Sequence, residues 1–96
     1  MNVKQDAIRT ASAEPDVDAP LSDDEFERGY GAMLARRARA ATGLPEDDFA
    51  ACFGIPIETL HAWEHGKEAP GDPATSYLRV IVQIPDAVAR ALHDAA

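Results

Sequence analysis

Proline and glycine divide residues 45–66 into two pieces, and no other feature limits the fold of this chain so tightly. Pro45 fits the first position of a helix and Gly54 ends it after about nine residues. Pro56 opens a second helix, and Gly66 suits a left-handed cap just beyond His65. In the first piece Phe49, Ala50 and Phe53 fall on one stripe; in the second, Leu60 and Trp63 share a face. Helices this short do not hold in water by themselves, so the pair Pro45–Phe53 and Pro56–His65 requires tertiary support. Joined through Gly54-Ile55, the two form a helix-turn-helix, the arrangement that lets a second helix enter the major groove of DNA.

The flanking segments supply that support. Ser22-Asp23-Asp24-Glu25 has the form of a capping box, with acids suited to the positive end of a helix dipole. Phe26, Tyr30, Met33, Leu34, Ala38 and Ala41 follow at helical spacing up to Gly43, although Gly29 and Gly31 threaten to split the segment. After the loop Ala69-Pro70-Gly71-Asp72, a fourth helix capped by Asp72 and opened by Pro73 is expected to bury Tyr77, Leu78, Ile81 and Ile84. Pro85 starts a fifth, with Val88 and Leu92 on its apolar side. The Val80-Ile81-Val82 run favours strand by propensity but sits inside a helical period, so no strand is expected. The prediction is an all-α domain of about five helices over residues 22–96, with the helix-turn-helix core at about 34–67.

Residues 1–21 read differently. Scattered small and acidic residues, Pro15 and Pro20, and no apolar period predict a disordered acidic arm. A chain of 96 residues fits one such domain and excludes most multi-domain enzymes. No apolar run approaches the roughly 18–20 residues of a membrane span, and Met1 to Asp6 lacks a signal-peptide core, so a cytoplasmic location is expected. The lone Cys52 offers no internal disulfide.

The net charge is −8, which argues against a general nucleic-acid coat protein. Its distribution is uneven. Residues 28–44 hold four arginines, Arg28, Arg36, Arg37 and Arg39, and no acid, whereas residues 45–72 hold seven acids and only Lys67 as a base. Arg36, Arg37 and Arg39 read either as a solvated helix face or, with Lys67, as phosphate contacts.

The stretch from Ala38 to Pro56 resembles the Xre family of lambda-repressor-like DNA-binding domains, and Leu60-His61-Ala62-Trp63-Glu64-His65-Gly66-Lys67 continues the likeness through a Leu-x-x-Trp-Glu-x-Gly signature. The resemblance covers about residues 34–93 and is nearest to short antitoxins whose partners are RelE-like ribonuclease toxins. It implies a homodimeric, autoregulating repressor that binds its own operator and neutralises its toxin. It also implies that Ile57, Glu58, His61 and Ala62 occupy the base-reading positions. Here the chain departs from the family, which favours Ser, Thr, Asn, Gln or Arg at those sites. Ile57 and Ala62 offer only thymine-methyl contact, Glu58 accepts only from a cytosine amino group, and His61 is the one flexible reader. Acids at Glu46, Asp47 and Asp48 stand where the family grips a phosphate; they either complement the helix dipole or repel DNA. Operator binding is therefore expected to be weak. The acidic arm, too polar to fold alone, is expected to serve the basic partner, with Phe26 and Tyr30 as its apolar anchors. The competing reading is a protein-interaction module that has lost DNA binding and only sequesters its partner.

A rival motif overlaps the signature. His61-Ala62-Trp63-Glu64-His65 matches the H-x-x-E-H string of inverted zinc peptidases, but the sequence shows no third ligand beside it, and the expectation is no metal, no cofactor and no enzyme activity. Cys52, with apolar or acidic neighbours in sequence, is expected to pack and not to act as a nucleophile.

Overall fold

The computed structural model describes residues 21–94. They form five α-helices and no strand: α1 Asp23–Thr42, α2 Glu46–Phe53, α3 Ile57–Glu64, α4 Asp72–Gln83 and α5 Pro85–Asp94. All but the last residue of the arm expected over 1–21 lies outside the described residues.

Helix α1 begins as the capping box predicts. Ser22 N–H donates to Glu25 Oε1 at 3.0 Å, and Glu25 N–H donates to Ser22 Oγ at 3.1 Å. The bond from the Ser22 backbone, followed by that to its side chain, draws the Glu25 carboxyl below its usual range. Despite the two glycines that threaten to split it, α1 runs unbroken for 20 residues through Gly29 and Gly31 and ends at Gly43. Gly31 is buried, and a Cβ there would collide with the ring of Pro70, so glycine at this position lets the loop before α4 lie directly on the helix.

The short helices start one residue later than the prolines suggested. Pro45 and Pro56 are themselves the caps, their carbonyls accepting from Phe49 N–H at 2.9 Å and Leu60 N–H at 3.0 Å. Gly71, not Asp72, caps α4, and Asp72 becomes its first residue. Between α2 and α3, Gly54 adopts φ 70°, a left-handed conformation that turns the chain sharply, and buried Ile55 follows it.

One core joins the first four helices. Leu34, Ala35 and Ala38 of α1 meet Phe49, Ala50 and Phe53 of α2, Leu60 and Trp63 of α3, and Leu78 and Ile81 of α4. The Phe49 and Phe53 rings pack with centroids 4.8 Å apart. Each fully buried Phe or Leu contributes roughly 1.5–3 kcal/mol, so this cluster is what holds two eight-residue helices in place. Tyr77 of α4 adds a polar tie: its hydroxyl donates to the Phe53 carbonyl at 2.6 Å, and burial raises its pKa, keeping it a donor.

Several expected core positions are exposed instead. Met33 (39%) turns to the outer side of α1 although its neighbours Ala32 and Leu34 are buried, and Ala41 is exposed near the helix end; Phe26 (59%) is open too, as an anchor for a partner would be. Ile84 (52%) and Leu92 (42%) are likewise open, since α5 leans on the core only through Val88 and Ala89.

Candidate nucleic-acid interface

The buried face of α3 determines what its outer face presents. Leu60 and Trp63 point inwards, and Glu64, four residues after Leu60, must share their side of the helix. It is 3% exposed. An isolated carboxylate at that depth would be costly, and the structure pairs it: Arg39 Nε donates to Oε2 at 2.8 Å and Arg39 Nη2 to Oε1 at 3.0 Å. This two-pronged contact joins the last turns of α1 to the end of α3 and raises the Arg39 pKa further, chiefly through its hydrogen bond to Glu64.

With that face anchored, the four base-reading candidates divide. Glu58 and His61 are exposed, Ala62 is half-buried, and Ile57 packs against the edge of the core. Ile57 therefore braces the start of α3 with part of its side chain and, like Ala62, stays partly open. His61 is not free-standing: its Nδ1 lies 3.5 Å from Glu46 Oε1 in the first turn of α2, and its ring packs on that of His65 with centroids 4.1 Å apart.

The basic candidates divide too. Arg39 is committed to Glu64. Arg36 and Arg37 are exposed on α1, where they line a shallow depression with Gly29, Ala32, Met33 and Ala40. Lys67 is exposed just beyond α3. Thus the arginines that read alike in sequence fall into one internal tie and two outward cations.

Of the two apolar anchors, Phe26 stacks on Tyr30 with centroids 6.3 Å apart and remains largely open. Tyr30 has structural work: its hydroxyl accepts from Arg79 Nε at 3.1 Å and Nη2 at 2.9 Å, tying α1 to α4. Cys52 is half-buried on α2, its sulfur 3.9 Å from His93 Nε2 on α5.

Two arrangements escaped the sequence reading. The Arg39–Glu64 pair had a signal in the i, i+4 spacing from Leu60, which puts Glu64 on the apolar face. The approach of Glu46 to the two histidines had none, because residues 46 and 61 meet only through the turn between α2 and α3. Glu46 corrects the expectation that no third ligand stands by the histidine pair. The H-x-x-E-H string itself does not assemble as in a zinc peptidase: Glu64, which such an enzyme keeps beside its metal, turns inwards to Arg39.

No helix among the described residues is long and apolar enough to cross a membrane. No family model, curated protein or solved structure matches the chain.

Proposed function

We propose that this chain is a sequence-specific DNA-binding regulator with a lambda-repressor-like arrangement of its helices, in which α3 is the recognition helix. The observation that carries this reading is the α2–turn–α3 unit: two eight-residue helices, joined by Gly54 to Pro56, with Leu60 and Trp63 buried and Glu58 and His61 facing outwards. His61 is the principal base reader, Glu58 selects cytosine, and Ala62 lies at the margin of the contact. Arg36, Arg37 and Lys67 are the phosphate contacts, and Arg39 contributes by holding α3 to α1. The regulator acts as a homodimer and, as its resemblance to short antitoxins suggests, controls its own operon while neutralising a ribonuclease toxin. Exposed Phe26 supplies an apolar anchor for that toxin, and Tyr30 supports it from below.

The acids at the start of α2 favour a second reading. Glu46, Asp47 and Asp48 occupy a helix N-terminus that would otherwise attract phosphate, as in a partner-binding module that no longer needs DNA.

A mobility-shift titration on the DNA upstream of the gene separates the two. The regulator gives a saturable shift that weakens on His61→Ala and on the double change Arg36→Ala/Arg37→Ala. Its salt dependence is shallower than the loss of about three to five decades between 50 and 200 mM that six to ten phosphate contacts produce. Absence of any shift up to about 50 micromolar protein, with or without the partner, leaves the interaction module.

A further inference from the structure

Three donor side chains converge on the outer side of the α2–α3 unit. Glu46 stands in the first turn of α2; His61 lies on α3, and His65 caps that helix one turn later. Residues four apart on a helix face the same way, which is why the two imidazoles pack together. Their ligand atoms and a carboxylate oxygen of Glu46 all lie within 4.8 Å of one another.

We propose that Glu46, His61 and His65 bind one divalent transition-metal ion, with Zn2+ as the reference ion. Geometry supports it first. Two ligands each about 2.0–2.1 Å from a tetrahedral Zn2+ stand roughly 3.3 Å apart. The Glu46–His61 separation of 3.5 Å is already close to that value, and small rotations of the exposed imidazoles bring in His65. The donor set comes second. Two imidazole nitrogens and one carboxylate suit Zn2+, Ni2+, Co2+ or Cu2+, whereas Mg2+ and Ca2+ take mainly oxygen ligands. Electrostatics is the third support. Asp47 and Asp48 share the first turn of α2 with Glu46, offsetting the positive end of the helix dipole, and the chain carries −8 overall. With three protein ligands, a fourth position is left for water or an outside group. The ion would crosslink α2 to α3 on the side opposite the buried core contacts, and on the regulator reading it would withdraw His61 from base contact.

The test uses the full chain, stripped of metal by a chelator and titrated with Zn2+ in a calorimeter without DNA, so that its outcome is separate from that of the regulator reading. One ion per chain binds with a dissociation constant below about 100 micromolar. His61→Ala, His65→Ala and Glu46→Gln each weaken binding by about tenfold or more. These side chains lie outside the core, and far-UV circular dichroism checks that each variant folds. Co2+ in place of Zn2+ gives the visible absorption of a tetrahedral nitrogen–oxygen site, lost in the same variants. The double change Cys52→Ser/His93→Ala, which removes the separate thiol–imidazole pair between α2 and α5, leaves binding unchanged. The proposal is overturned if no saturable binding appears in that range, if binding survives both Glu46→Gln and His61→Ala, or if it is lost with Cys52 and His93.

Discussion

The two halves of α1 are one continuous helix built for different tasks. From Gly31 to Ala38, Gly31, Ala32, Leu34, Ala35 and Ala38 are all buried; in the turns before, every residue is exposed or half-buried, and Phe26 is 59% open. The packed half uses small residues so that other elements can lie directly on its backbone. The leading half buries none of its residues; it is held by its capping box and by the bonds from Arg79 to Tyr30. Apolar spacing alone did not distinguish them, because Phe26 and Leu34 belong to the same periodic series. What differs is how closely another element lies against them: Leu34 is enclosed in the core, whereas Phe26 only lines an open hollow with the loop before α4.

The largest effect should come from the core that the packed half shares with α3. Trp63→Ala removes an indole that is 8% exposed, and is expected to cost about 3–5 kcal/mol in denaturant unfolding. A loss under about 1 kcal/mol would mean that Trp63 is a surface residue and that the packed half of α1 holds without it.

Next comes the ion pair at the end of the packed half. Arg39→Ala leaves Glu64 buried without its partner and should cost about 2–3 kcal/mol, less than the roughly 3–5 kcal/mol of a fully buried pair because the Arg39 side chain is 33% exposed. Replacing both residues, as Arg39→Met/Glu64→Leu, should recover more than half of that loss. A double change as damaging as the single one would show that the pair itself, and not an orphaned carboxylate, carries the stability.

The sharpest test makes the same substitution on either side of the boundary. Gly31→Ala should be destabilising by about 1 kcal/mol, the clash with Pro70 outweighing the gain in helix propensity. Gly29→Ala, two residues earlier and with open space around it, should be stabilising by about 0.5–1 kcal/mol. Equal signs at the two positions would erase the distinction between the halves. Phe26→Ala should change stability by less than about 0.5 kcal/mol while lowering affinity for a protein partner. A larger loss of stability would show that the leading half is packed after all.

The helices themselves could be read from the sequence wherever local chemistry determines structure. Ser22 and Glu25 cap α1 through bonds between near neighbours, and Gly54 turns the chain by its own backbone freedom. Starts at Pro45, Pro56 and Asp72 were off by one because a proline or an acid suits both the cap and the first helical position. The site was harder. Arg36, Arg37 and Arg39 lie within four residues of one another, yet only packing against α3 decides that Arg39 turns inwards. Glu46 and His61 meet across a turn whose angle no spacing rule supplies, so the histidine pair was visible in sequence without its carboxylate. The expectation that Ile84 and Leu92 would be buried failed for a related reason: amphipathic spacing shows which side a helix would bury, not whether anything covers it.

The bond from Tyr77 to the Phe53 carbonyl bears on whether the motif is portable. Phe53 is the last residue of α2, and its carbonyl, left without a helical partner where the chain turns, is held by a hydroxyl 24 positions later on α4. The α2–turn–α3 segment is thus shaped partly from outside itself. Transplanted alone into another scaffold, it would lose both this donor and the Leu78–Ile81 surface beneath it; carried with α4, it would bring its own mould.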